Sequence, residues 1–375
     1  MSFSFSFSGE DIDCSDDESS SAKEITDSLQ DTSITSKPDL LQPKHHTFAE
    51  LLEYLPDQVS YSWVEIPIAS RDGRKVTMPR REIFDIRQQL MTEADPSTDA
   101  DTTSTLLEGL QSGDLSTGIY EGGFKTWECA VDLAGYLYDL RHGNDDSDST
   151  IVELGAGSAV PSLVLLERVL QMKCTTTSTK KVRFVLCDYN EDVLRLCTAV
   201  NAFILLALNL ETQKPRSSNV LDADFDDTLT EDDSTELTID KDSVERVLKL
   251  LKDFNIEIDF ISGSWGDDFV KLVSEPAIGF TDNDDNASML VLASETIYSP
   301  GSLATFTSTL LSLRGKDKLE AQARKILVAA KKVYFGVGGG VAEFEAELKK
   351  QGGRAETILD VKGAGVGRVI LGIVT

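Results

Sequence analysis

Apolar residues in this chain fall into short unbroken runs separated by longer stretches of helical spacing, and that alternation predicts a mostly parallel β-sheet with connecting helices. A first strand is expected over 150–154, followed by an apolar helix over about 160–170. The run VRFVLCDYN at 182–190 is continuous and apolar, as a strand covered on both faces should be. A long helix over 191–208 follows, and the sheet resumes with IEIDFISGSW, MLVLASETIY and KILVAAKKVYF. After a glycine run come the helix VAEFEAELKKQ and then ETILDV and RVILGIVT, close enough through KGAGVG to pair as a hairpin. The count is seven strands, with an antiparallel pair ending an otherwise parallel sheet.

Upstream the pattern weakens. Residues 47–91 place FAELLEYL and EIFDIRQQLM, both of helical spacing, around the extended YSWVEIPI, and read as an accessory layer. A polar tract at about 92–105 separates it from GIYEGGFKTWECAVDLAGYLYDL, whose spacing predicts a helix from near Thr126 to before Gly143. Residues 1–45, rich in Ser, Asp and Glu and poor in large aliphatics, cannot offset the entropy of ordering and are expected to be a disordered acidic tail. The domain reading is therefore a tail at 1–45, an N-terminal extension at 46–118 and a sheet domain at 119–375. Its acidic insert at 211–240 reads as a surface loop rather than a core element.

Composition narrows the partners. Lys and Arg total 36 against 64 Asp and Glu, a formal charge of −28, which repels nucleic acid and anionic membrane and attracts basic proteins. The start has no basic and apolar signal pattern, nothing downstream approaches the roughly 18 apolar residues of a membrane span, and a cytoplasmic and nuclear monomer is expected. Cys14, Cys129, Cys174, Cys187 and Cys197 form no C-x-x-C pair and read as buried thiols of a reducing compartment. With His45 and His46 in a polar tract and His142 in a loop, no metal site is expected.

Candidate chemistry gathers at the carboxyl ends of the strands, where open α/β sheets bind ligands. Glu153, Gly155 and Gly157 close the first strand with a turn that lets a ligand approach bare backbone at a helix start. Val160 and Pro161 stand where a dinucleotide fingerprint needs a third small residue, so the E-x-G-x-G pattern points to S-adenosylmethionine instead. Asp188 closes the second strand, placed to accept from ribose hydroxyls or to cap the next helix, with Tyr189 and Asn190 beside it. Gly263 and Trp265 end the third, the indole either covering adenine or plugging the sheet. Ser294, Glu295 and Tyr298 end the fourth, and Lys125, Trp127 and Glu128 are expected to fold back over the cofactor's amino-acid end. Methyl transfer from a sulfonium needs a positioned acceptor and removal of a proton, work that the E-x-x-Y pair Glu295 and Tyr298 could perform. The Asn/Asp-Pro-Pro-Tyr/Phe motif of exocyclic-amine methylation is absent at that strand end.

These residues resemble the seven-strand, Rossmann-like class I protein methyltransferases that depend on S-adenosylmethionine and carry a [DE]-x-x-Y motif. More narrowly, the chain resembles the fungal histidine protein methyltransferase 1 group and its animal methyltransferase-like eighteen relatives. The resemblance is carried by Arg81-Glu82-Ile83-Phe84-Asp85, Gln89-Leu90-Met91, Ile119-Tyr120-Glu121-Gly122-Gly123, Lys125, Trp127-Glu128-Cys129, Leu186 and Asp188-Tyr189-Asn190. It continues through Ser262-Gly263-Ser264-Trp265-Gly266, Ser294-Glu295-Thr296-Ile297-Tyr298 and Tyr334-Phe335-Gly336-Val337-Gly338-Gly339, covering about residue 80 to the end plus the opening MSFSF. Family members often have cysteine between the glycines of the first turn, where this chain has Ala156.

The resemblance implies an α/β fold with an antiparallel C-terminal strand and helices on both faces. It also implies methylation of a histidine ring nitrogen in the third protein of the large ribosomal subunit, a basic substrate, with S-adenosylmethionine as cofactor. Glu295 would then bind the N–H of the acceptor imidazole and Tyr298 would shape its pocket. Two rivals share much of the pattern: a protein-lysine methyltransferase of the same fold, and a non-catalytic acidic chaperone of a basic ribosomal protein. The charge further predicts a free or early-assembly substrate rather than one wrapped in RNA.

Overall fold

The expected strands all form, and the sheet gains one more at its edge. The computed structural model describes residues 41–68, 73–93, 122–140, 148–176, 178–211, 235–275, 288–315, 324–362 and 365–374. The tail at 1–40, the polar tract from 94, Ile119 to Glu121, His142, Cys14 and the insert residues 212–234 lie outside the described residues.

The chain runs β1 (Lys44–Thr47), α1 (Phe48–Leu52), β2 (Gln58–Pro67), β3 (Lys75–Arg81), α2 (Ile83–Glu93) and α3 (Glu128–Asp139). It continues with β4 (Ser149–Leu154), α4 (Val160–Thr175), β5 (Val182–Asp188) and α5 (Glu191–Glu211), then β6 (Thr235–Thr238), α6 (Lys241–Asp253) and β7 (Ile256–Ser262). The last elements are α7 (Asp267–Ser274), β8 (Ser288–Ser294), α8 (Pro300–Arg314), β9 (Arg324–Lys331), α9 (Val341–Lys350), β10 (Arg354–Val361) and β11 (Arg368–Val374).

The main sheet has the order β1-β7-β5-β4-β8-β9-β11-β10. From β4 the chain builds outward through β5 and β7, then returns to the other side of β4 with β8 and β9, so the strand order reverses beside β4. Such a reversal opens a crevice at the carboxyl ends of the strands. The C-terminal β11 inserts antiparallel between β9 and β10. Alternate strand residues feed two cores: Ile151, Phe184 and Phe260 pack with α3, α4 and α5, while Val152, Val185 and Ile261 pack with α7, α8 and α9. The molecule is thus a Rossmann-like α/β fold with helices on both faces, and every residue of β5 is buried, as its unbroken apolar sequence requires.

Several expectations are corrected. Lys44, His45 and His46 are strand residues, not part of a tail or a polar tract: β1 pairs antiparallel with β7, and His46 is buried against the Ser262 hydroxyl at 2.9 Å. Burial pushes the His46 imidazole below its usual range, against the pull of Glu191. Four mostly polar residues carry no pattern of their own, and it is the open edge of β7 that makes them a strand. The end of the insert is likewise ordered, since β6 joins β2 and β3 in a second sheet and buries Leu237. Cys174 is exposed on α4, whereas Cys129, Cys187 and Cys197 are buried. Finally, α5 is long and apolar enough to cross a membrane by length and composition, but 78% of that window is buried and it serves as the core helix.

A π-helical turn at Leu194–Thr198 interrupts α5, and Arg81 meets it. Arg81, 1% exposed, donates to the Leu196 carbonyl at 3.0 Å, to Asp85 at 2.6 Å and to Gln89 at 2.7 Å, while its own amide bonds Asn201 at 2.7 Å. One side chain therefore ties β3 and α2 to the irregular turn that runs below the site.

Candidate active site

β4 delivers the chain into a turn in which Gly155 and Gly157 both take left-handed backbone, at φ +66° and +51°. The turn is fixed to the end of β5: the Ala156 amide donates to the Cys187 carbonyl at 2.7 Å and the Gly157 amide to Asp188 Oδ2 at 3.1 Å. From α5, Thr198 donates to the Gly157 carbonyl at 2.6 Å and Asn201 to the Ser158 carbonyl at 3.0 Å. A Cβ on Gly157 would lie 2.8 Å from the Gly123 carbonyl oxygen, so the segment before α3 rests directly on the turn. Thr126 adds a hydroxyl bond to Ser158 at 2.9 Å.

Glu153 does not lie open at the rim. It is fully buried, and its Oε2 accepts from the Ser162 amide in the first turn of α4 at 3.0 Å. Burial pushes the carboxyl up to about 8; the Ser162 bond opposes this and Asp188 adds to it. Asp188 divides its carboxylate between the Gly157 amide and, at 3.2 Å, the Asn190 amide. Asn190 precedes α5 with no side-chain capping bond. The Gly263 amide donates to the Asp188 and Tyr189 carbonyls at 3.2 and 3.1 Å, which brings the ends of β5 and β7 together. Trp265 packs its ring 4.8 Å from Phe306 of α8 and belongs to the apolar core at the sheet end.

On the other side of the crevice, Ser294 ends β8 and Glu295 takes a left-handed φ of +57°, a strained choice for a residue with a side chain. Its carboxylate is 8% exposed and is held from two elements, by the Cys129 amide at 3.4 Å from α3 and by Lys331 at 3.5 Å from the end of β9. The Tyr334 phenol accepts from the Lys331 amide at 3.2 Å, and its ionisation is pushed up by burial and then by the Glu295 carboxylate. Tyr298 meets the Tyr334 ring edge-on at 6.3 Å. Lys331 also pairs with Glu128 at 3.0 Å; burial alone would lower its pKa, but Glu128 and Glu295 outweigh that and raise it. The Trp127 ring lies within 4.8 Å of the Lys125 ammonium and 5.2 Å of Lys331, with its indole N–H on the Gly122 carbonyl at 3.0 Å.

Lys331 and Tyr334 are the site residues that the sequence reading leaves unassigned. The signal was available for Lys331, which closes a strand at the same rim as the others. Tyr334 follows the strand by three residues and is brought back only by the loop.

The segments at the strand ends carry polar groups that the protein leaves unsatisfied. Among the described residues, buried polar atoms without a protein partner include Glu153 Oε1, Asn190 Nδ2, Ser264 Oγ and Thr296 Oγ1, which belong to the segments closing β4, β5, β7 and β8. Buried groups of this kind are costly unless a ligand or water satisfies them.

No family model matches the chain. It is 33% identical over 370 residues to histidine protein methyltransferase 1 of Saccharomyces cerevisiae, covering 93% of this chain and 90% of that protein. It is 33% identical over 305 residues to the protein of the same name in Schizosaccharomyces pombe, covering 81% and 76%. The histidine protein methyltransferase 1 homolog of Bos taurus matches at 28% over 258 residues, 69% of this chain and 56% of its own length.

Proposed function

Because the chain belongs to the histidine protein methyltransferase 1 family, we propose that it moves a methyl group from S-adenosylmethionine to a ring nitrogen of a histidine in a basic large-subunit ribosomal protein, the third of that subunit. One observation carries the reading: a nearly enclosed carboxylate, Glu295, is held by the Cys129 amide and Lys331 beside a glycine turn, in a chain similar over 93% of its length to a histidine protein methyltransferase.

When bound, the cofactor supplies a methyl group on a sulfonium, activated for in-line displacement. The residues that would hold it are Gly155 and Gly157 along the turn, Asp188 and Asn190 toward the ribose, and Lys125, Trp127 and Glu128 toward the amino acid. The protein's remaining work is to present a neutral imidazole in one orientation. Glu295 accepts the acceptor's N–H, which leaves the other ring nitrogen with its lone pair facing the methyl and offsets the positive charge that develops on transfer. Lys331, braced by Glu128, holds the carboxylate in place, and its own amide donates to the Tyr334 phenol. Tyr298 forms a wall beside them.

The test is incubation with radiolabelled S-adenosylmethionine and separated ribosomal proteins, then amino-acid analysis of the labelled band. Methylhistidine in one basic large-subunit protein is expected, and methyllysine would replace this reading with the lysine one. Glu295→Gln should lower kcat about 10²-fold with cofactor binding intact. An unchanged rate would remove Glu295 from its role.

A further inference from the structure

After Lys331 the chain makes a tight loop before α9. Its backbone is closed internally: Tyr334 donates to the Gly339 carbonyl at 3.1 Å, Val337 and Gly338 to the Tyr334 carbonyl at 3.4 and 3.3 Å, and Val341 to the Lys332 carbonyl at 3.2 Å. The loop is also pressed onto the site. A Cβ on Gly339 would lie 2.3 Å from the Tyr298 carbonyl oxygen and 2.5 Å from that of Ile297, so only glycine lets the two segments touch. Tyr334 turns inward to the Tyr298 ring and the Lys331 amide.

Its neighbours turn outward. Val333 is 48% exposed, Val337 36% and Phe335 78%, the highest value of any large hydrophobic among the described residues. These side chains stand on hydrogen-bonded backbone anchored to the catalytic segment, a setting in which exposed apolar area marks a place for a partner. The charged residue among them, Lys332, is paired with Asp360 at 3.0 Å.

We propose that Val333, Phe335 and Val337 form an apolar lip that docks the acceptor protein, covering an apolar side chain that flanks the target histidine. The proposal rests on the function argued above and deepens it by assigning a substrate-binding surface. Continuity with Tyr298 and Glu295 argues for the acceptor, since whatever sits on the lip lies at the mouth of the transfer site. A second copy is a poor occupant, because a chain of net charge −28 repels its own kind. An aromatic anchor at the centre of a small contact is the side chain on which truncation costs most.

The experiment compares wild type, Phe335→Ala and Phe335→Leu with labelled S-adenosylmethionine and the isolated ribosomal protein that the wild type labels. Phe335→Ala should raise the KM for the protein about tenfold, and Phe335→Leu should keep it within about threefold. Calorimetric cofactor binding, kcat at saturating protein and the melting temperature should hold in both variants. An unchanged KM in Phe335→Ala overturns the lip alone, as does a loss explained by weakened cofactor binding or by a shift to monomer from dimer in sedimentation. If the wild type labels no ribosomal protein, the proposed function fails and the lip falls with it.

Discussion

At the scale of single residues the site mixes groups whose chemistry shows in the chain with groups made functional by their surroundings. Glu153 sits in a motif visible in the sequence, yet its enclosure is a property of the fold. The folded protein holds a proton on it up to about 8, whereas the ordinary value is 4.5. Its stabilisation is therefore complete below 4.5, declines as pH rises and is gone above about 8. Glu153→Gln should flatten that decline, so its melting temperature should fall less than the wild type's between about pH 5.5 and about pH 8.5. Equal falls would show that the carboxyl is already ionised in the native state. Lys331 is the converse case, a plain lysine in the sequence that becomes the brace of two carboxylates. Lys331→Met should lower kcat on the order of 10²-fold while leaving the KM for the protein acceptor nearly unchanged, and Lys331→Arg should recover part of the loss. A change confined to KM would assign the lysine to binding.

At the scale of elements, the strands and helices of the main sheet were legible because each long run shows one periodicity and buries accordingly; β5 and α5 are the clearest cases. The short strands were not. β1 and β6, at four residues each, form only because β7 and β2 offer unpaired edges. The π turn of α5 was equally invisible, since its register change is stabilised from outside by Arg81 taking the Leu196 carbonyl. Arg81→Met removes the guanidinium bonds to Asp85, Gln89 and the Leu196 carbonyl. A loss of about 3 kcal/mol in the urea-unfolding free energy is expected, with weaker cofactor binding because Thr198 and Asn201 hold the glycine turn from the same helix. A loss below about 1 kcal/mol would mean that water replaces the guanidinium.

At the scale of the whole molecule, 64 acidic side chains against 36 basic ones set how a substrate arrives. For a basic acceptor, kcat/KM should drop about tenfold or more between low salt and about 0.5 M salt, while the dissociation constant for cofactor barely moves. If the proposed ribosomal substrate holds, the same field should favour the free protein over the assembled particle, and robust methylation of mature subunits with none of isolated protein would refute that order of events. The sequence by itself determined the alternation of strand and helix, the glycine turn and the strand-end carboxylates, because periodicity and residue chemistry are local properties of the chain. Only the tertiary structure decided that Glu153 is enclosed, that Lys331 and Tyr334 converge on Glu295, and that Phe335 stands in water beside them. Those outcomes depend on which segments the sheet brings together, and the separation of such segments along the chain carries no record of the distance between them in the fold.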